Sequence, residues 1–175
     1  MIKQTITSFA LITILLFACS SEKPQTDAEP PVISYAVDGL DNVISKDSVE
    51  FDGVTSSDGF GSIKINATDS MTIRLYETGD LDIENCRIFY RAKLKSENFT
   101  GTAYLEMWCS IPGLGEFFSR DLQTPITGTF DWTTEETPFV LQPGQNPDNI
   151  KLNLVVNGTG TIWIDDIKLI KGELN

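Results

Sequence analysis

The 175-residue chain is long enough for one domain with attachments, and its 41% apolar and 10% aromatic content suffices for a packed core. Its formal charge is −12, from 25 Asp and Glu against 13 Lys and Arg, so nucleic-acid partners are disfavoured by repulsion from phosphate. The chain has no histidine, which removes Ser-His and Cys-His nucleophile systems, His-ligated zinc and the commonest general base near neutral pH.

The chain opens with a short basic stretch carrying Lys3, followed by residues 6–17, apolar apart from Thr7, Ser8 and Thr13. About a dozen residues is short for a bilayer span and suits the hydrophobic part of a signal peptide. The run ends Leu16-Phe17-Ala18-Cys19. This ending resembles the bacterial lipobox, in which a small residue precedes the cysteine that receives the diacylglyceryl group; Phe17 departs from the usual small or branched residue at its place. The resemblance implies that residues 1–18 are a lipoprotein signal peptide and that Cys19 is lipidated, making the membrane a partner through the N-terminal lipid. Residues 19–31 continue as a tether: from Ser20 on they hold three prolines, several charges and no apolar periodicity. Ser20 and Ser21 lack the aspartate that retains some lipoproteins at the inner membrane, which implies a cell-envelope location at the outer membrane of an outer-membraned cell.

Residues 32–175 alternate short apolar–polar runs with turn residues, the pattern of an all-β sandwich of antiparallel sheets. Strands are predicted over 49–51, 62–66, 72–77, 87–95, 103–109, 117–122, 138–141, 150–156 and 161–170. Turn chemistry separates them at Asp52-Gly53, Asp58-Gly59, Gly79-Asp80, Pro112-Gly113, Pro143-Gly144 and Asn157-Gly158-Thr159-Gly160. Alternation assigns faces. Ile88, Tyr90, Ala92 and Leu94 share the inward face of one strand, with Arg87, Phe89, Arg91, Lys93 and Lys95 outward. Ile150, Leu152, Leu154 and Val156 share another, with Lys151 and Asn153 toward water. In 103–109 the more uniformly apolar set, Ala103, Leu105, Met107 and Cys109, is expected to face the core, leaving Tyr104, Glu106 and Trp108 outward.

The segment Gly158-Thr-Gly-Thr-Ile-Trp-Ile-Asp-Asp-Ile-Lys-Leu169 resembles the closing strand of the galactose-binding-like jelly rolls that serve as carbohydrate-binding modules. Phe89 to Leu94 is similar to their central strand, Asp131-Trp132 followed by Phe139 to Leu141 to their tryptophan-led strand, and Asn149 to Val156 to their penultimate one. The resemblance spans about residues 45–170 and implies a jelly-roll β-sandwich; it says less about a ligand, because this sandwich hosts many unrelated jobs.

Tyr104, Glu106 and Trp108 are the candidate ligand residues. Saccharide C–H faces stack on aromatic rings while a carboxylate accepts hydroxyl hydrogen bonds, and aromatics at i and i+4 of a strand lie roughly 13 Å apart; the other reading is that they pack under a loop or sheet. The outward Arg87, Arg91 and Lys93 would add an anion-tolerant side if their face adjoins this platform; the preferred reading is an aggregation-resistant edge strand. The jelly-roll resemblance implies a structural calcium held by Asp165 and Asp166 of the closing strand with Asp52 or Glu50 of the opening one, against turn and capping hydrogen bonds as the alternative. Cys86 and Cys109 face each other if their strands form a hairpin about residues 96–101, giving a disulfide; otherwise they are two buried thiols. Glu116 with Asp121, or Glu135 with Glu136, has no spacing that places a carboxylate pair across a scissile bond. The expected protein is therefore a non-catalytic, lipid-anchored binding module for carbohydrate, or an envelope lipoprotein that docks another protein.

Overall fold

The computed structural model describes residues 30–174; the expected signal peptide, Cys19 and the tether up to residue 29 lie outside the described residues. Eight strands follow in order: β1 Pro31–Tyr35, β2 Glu50–Asp52, β3 Ser62–Ala67, β4 Met71–Thr78, β5 Cys86–Ile111, β6 Gly115–Arg120, β7 Ile126–Leu141 and β8 Asn149–Gly172. Every strand pairing is antiparallel. The long strands β5 and β8 pair along nearly their whole lengths and run through both layers of the sandwich. In one layer the first half of β5 lies between β7 and the second half of β8, which is bordered in turn by β1 and β3, with β2 outermost. In the other layer the second half of β5 lies between β6 and the first half of β8, and β4 closes the far side.

One core fills the space between the layers. Ile88, Tyr90, Ala92 and Leu94 face it from the first half of β5, and Ala103, Leu105, Met107 and Cys109 from the second, all fully buried. The inward set changes from even to odd numbers because the strand is interrupted between Glu97 and Thr100, where Asn98 has φ 51° and Gly101 φ 122°. The extra residue there shifts the alternation by one, so that the apolar side still faces the core beyond it, whereas β8 passes the same corner, through Gly160 at φ 132°, with even-numbered residues inward on both sides. In β8, Asp166 at φ 51° does the same work, so that Ile162 and Ile164 are followed inward by Ile167 and Leu169.

Four expectations are corrected here. The expected turn at 157–160 is the bend of a continuous β8, and the predicted strands 150–156 and 161–170 are its two arms; 87–95 and 103–109 are likewise arms of β5. β1 begins inside the expected tether, at Pro31. β7 is far longer than 138–141; its Thr- and Glu-rich first part pairs only with β5, so no apolar alternation is imposed on it, and Pro138 is tolerated on such an edge. Finally, Arg87, Arg91 and Lys93 lie on a central strand between β7 and β8, not on an edge, and Arg91 pairs with Glu136 of β7.

No hairpin forms between the arms of β5, and Cys86 and Cys109 are buried free thiols, which corrects the disulfide. Burial pushes both thiols up, Cys109 to about 12. Alkylation of unreduced protein is expected to leave both cysteines unmodified while folded and to label both in denaturant. Peptide mass mapping checks this, and labelling that requires a reductant would restore the bridge.

Candidate functional site

The outward face of the layer β4-β8-β5-β6 gathers the chemistry. Cross-strand register places Trp108 of β5 between Lys151 of β8 and Phe118 of β6, and Glu106 between Asn153 and Arg120. Arg74 of β4 continues the second row beyond Asn153. Four strands at this spacing make a face about 14 Å wide.

Glu106 is the hub of this face. Its Oε1 accepts hydrogen bonds from Trp108 Nε1 at 2.7 Å and Asn153 Nδ2 at 3.1 Å, and its Oε2 accepts one from Arg120 Nε at 2.6 Å. The residue is only 4% exposed although it points away from the core, because its partners roof it over. Burial alone would raise its pKa; the hydrogen bonds from Trp108, Asn153 and Arg120, together with the Arg120 charge, outweigh that and hold the carboxyl below its ordinary value. This corrects the expected role of Glu106 as an acceptor for sugar hydroxyls: its oxygens are engaged within the protein. Asn153 is likewise buried and does not point to water.

What Glu106 positions is aromatic. The Trp108 and Phe118 rings lie 4.9 Å apart at 44°, and the Arg120 guanidinium sits 4.4 Å over the Phe118 ring. Phe118 is 51% exposed, while Trp108 and Tyr104 are half-buried. A large ring fixed on one side and open on the other, with the remaining guanidinium N–H donors of Arg120 beside it, suits a ligand offering a weakly polarised apolar face and many hydroxyls. Tyr104, Glu106 and Trp108 thus share one face of β5, as alternation requires. Phe118, Arg120 and Asn153 complete it from two other strands.

The proposed calcium ligands are not assembled. Asp165 is 1% exposed, and its carboxylate accepts Ser57 N–H at 2.8 Å, Ser57 Oγ–H at 2.7 Å and Asp166 N–H at 2.7 Å. Asp52 accepts Val54 N–H and Thr55 N–H at 2.9 Å each and the Trp163 indole N–H at 2.9 Å. The Thr55, Trp163 and Val54 donors keep the Asp52 carboxyl well below the usual carboxylate range. Asp166 pairs with Lys168 at 2.6 Å, and Glu50 lies by Lys64 at 3.9 Å. Calcium takes six to eight oxygens, whereas among the described residues no three His, Cys, Asp or Glu groups cluster. Asp52 and Asp165 instead organise the 52–61 loop and lock it over Trp163, itself 6% exposed. Millimolar calcium is therefore expected to move the melting temperature by less than about 1 °C; an ion at 100 times its Kd would add about 2.7 kcal/mol and be obvious.

The carboxylate pairs weighed for glycoside cleavage are also apart. Glu116 is engaged by Lys151 and Glu136 by Arg91, and Glu135 and Glu136, as neighbours on β7, point to opposite faces.

No protein-family profile and no curated protein sequence matches this chain. Solved structures do. A xylan-binding domain of carbohydrate-binding-module family 22 superposes with a TM-score of 0.58 at 10% identity, covering 85% of this chain and 99% of that one. The fold is that of the carbohydrate-binding β-sandwich modules. The CBM22-1 xylan-binding domain of Paenibacillus barcinonensis Xyn10C gives 0.56 at 10% identity over 85% of this chain and 98% of its own. The C-terminal family 22 module of Clostridium thermocellum Xyn10B gives 0.57 at 11% over 82% and 96%. At these identities the likeness is one of fold, and the chemistry of the face has to be argued from the residues of this chain.

Proposed function

We propose that this protein is a cell-envelope lipoprotein, anchored through Cys19 at the outer membrane, whose β-sandwich is a non-catalytic module binding carbohydrate on the β4-β8-β5-β6 face. The observation that carries the reading is the Trp108–Phe118 pair: two large rings held in place by Glu106 and Arg120 and open to solvent on an outer sheet face. Surface aromatics fixed by buried hydrogen bonds are costly to build and suit stacking against sugar rings. The Leu16-Phe17-Ala18-Cys19 ending supports the anchor.

Binding of the whole detergent-solubilised chain to a broad glycan panel tests the module, with Trp108→Ala beside it. A ring stack contributes about 0.5–1.5 kcal/mol beyond its buried area, so the variant is expected to bind at least about tenfold more weakly while remaining folded. Equal binding by the two proteins would move the site off this face. The anchor has its own test: Cys19→Ala should release the chain from membranes.

A second reading has its own observation. The 52–61 loop, pinned by Asp52 and Asp165, exposes Val54 at 94% and Phe60 at 73%. Rigid, exposed apolar side chains suit an envelope protein partner. A folded chain that retains no glycan of any class would favour that reading.

A further inference from the structure

We infer that the glycan taken by this face is an uncharged one, bearing hydroxyls and no uronate, sulfate or phosphate groups; the inference rests on the carbohydrate reading above and adds the ligand's charge class. Three cations and three carboxylates stand on the β4-β8-β5-β6 face, and each cation is joined to one carboxylate. Arg74 pairs with Glu77 at 2.6 Å, Arg120 with Glu106 at 2.6 Å, and Lys151 with Glu116. The pairs come from different places in the ladder: within β4, between β5 and β6, and between β6 and β8. The face therefore sums to zero charge on a chain whose total is −12.

An acidic polymer would have to displace an internal carboxylate from one of these cations, or bring an unmatched negative charge beside three resident carboxylates. Both are opposed by the surrounding acidic protein, whose field acts over about 8 Å at physiological salt. A neutral polymer meets neither obstacle. The Arg120 guanidinium gives its Nε–H to Glu106 and stands 4.4 Å over the Phe118 ring, and its remaining N–H groups can donate to hydroxyl oxygens beside that ring. Recognition by stacking and neutral hydrogen bonds also carries little salt dependence, unlike recognition by ion pairing.

Columns of immobilised polysaccharide, loaded with the whole detergent-solubilised chain, test the inference. One set is uncharged, a xylan, a galactan and a glucan; the other is acidic, polygalacturonate, alginate and a sulfated galactan. Retention on at least one uncharged polymer, changing by less than about twofold between roughly 20 and 500 mM salt, with none on the acidic set, is the expected result. Retention on an acidic polymer equal to or above that on every uncharged one would overturn the charge class while leaving carbohydrate binding intact. No retention on either set would overturn the carbohydrate reading and the inference with it. Glu116→Gln supplies a gain-of-function check, since it removes the ion-pair partner of Lys151 and leaves the face with one net positive charge: the variant should acquire polygalacturonate retention at least about threefold above the parent at low salt, lost at about 500 mM. A variant that still ignores polygalacturonate would show that charge balance is not what excludes acidic polymers.

Discussion

Replacing Glu106 by alanine is expected to lower stability by about 2–3 kcal/mol, or about 8–12 °C in melting temperature. The side chain is almost wholly buried and receives three donors, so its removal strands Trp108 Nε1, Asn153 Nδ2 and Arg120 Nε around a small cavity. A stranded buried donor costs about 1–3 kcal/mol, but Trp108 and Arg120 are partly exposed and can turn to water, which sets the total below the sum. Glutamine should cost less, about 1–2 kcal/mol, because its oxygen keeps some of the bonds while its amide opposes one donor. The pH dependence separates the two effects. Because the folded pKa of Glu106 is depressed, its contribution is fully present above the unfolded value of about 4.3 and is lost as pH falls through the folded value. Parent protein should therefore lose stability on acidification below about pH 4.5 more steeply than the glutamine variant. Thermal unfolding from pH 7 to pH 3 measures both quantities. A melting temperature unchanged by alanine would mean that the hub does not hold the aromatic pair.

Much of this face was within reach of sequence reading, and its limits have physical causes. Tyr104, Glu106 and Trp108 share a face because residues two apart on any strand do, whatever the strand's neighbours. The inward sets of both arms of β5 were legible for the same reason. Phe118, Arg120 and Asn153 join the face only through the register of β5 against β6 and β8, and register between strands is set by turn geometry and core packing that no local pattern encodes. Glu106 shows the cost of that blindness: alone on its strand it reads as a free acceptor, and only its neighbours make it a positioning residue. Asn157 to Gly160 misled differently, since a run of Asn, Thr and glycines is turn chemistry by composition and here bends a strand that never stops pairing. The part of β7 before residue 138 is hidden as a polar edge, and β1 is hidden beside prolines.

The bend at those glycines carries the largest expected effect: Gly158→Ala should cost more than about 3 kcal/mol, seen as insoluble expression or a fall in melting temperature of more than about 12 °C. Gly158 of β8 stands opposite Gly101 of β5 where both strands pass between layers. A Cβ on Gly158 would lie 2.0 Å from Thr100 O and 2.9 Å from Gly101 Cα, and one on Gly101 would lie 2.1 Å from Asn157 O. These obstacles are backbone atoms in mid-ladder, which cannot swing aside as a flexible side chain can. Making room would part β5 from β8 at the corner, and with it the register that turns both arms toward one core. Gly39→Ala is the control, because nothing lies within 4 Å of its added Cβ, and it should unfold within about 1 °C of the parent. Equal stability of the Gly158 and Gly39 variants would mean that the strands cross farther apart than described, and the sandwich would then need a different account of how its two longest strands serve both layers.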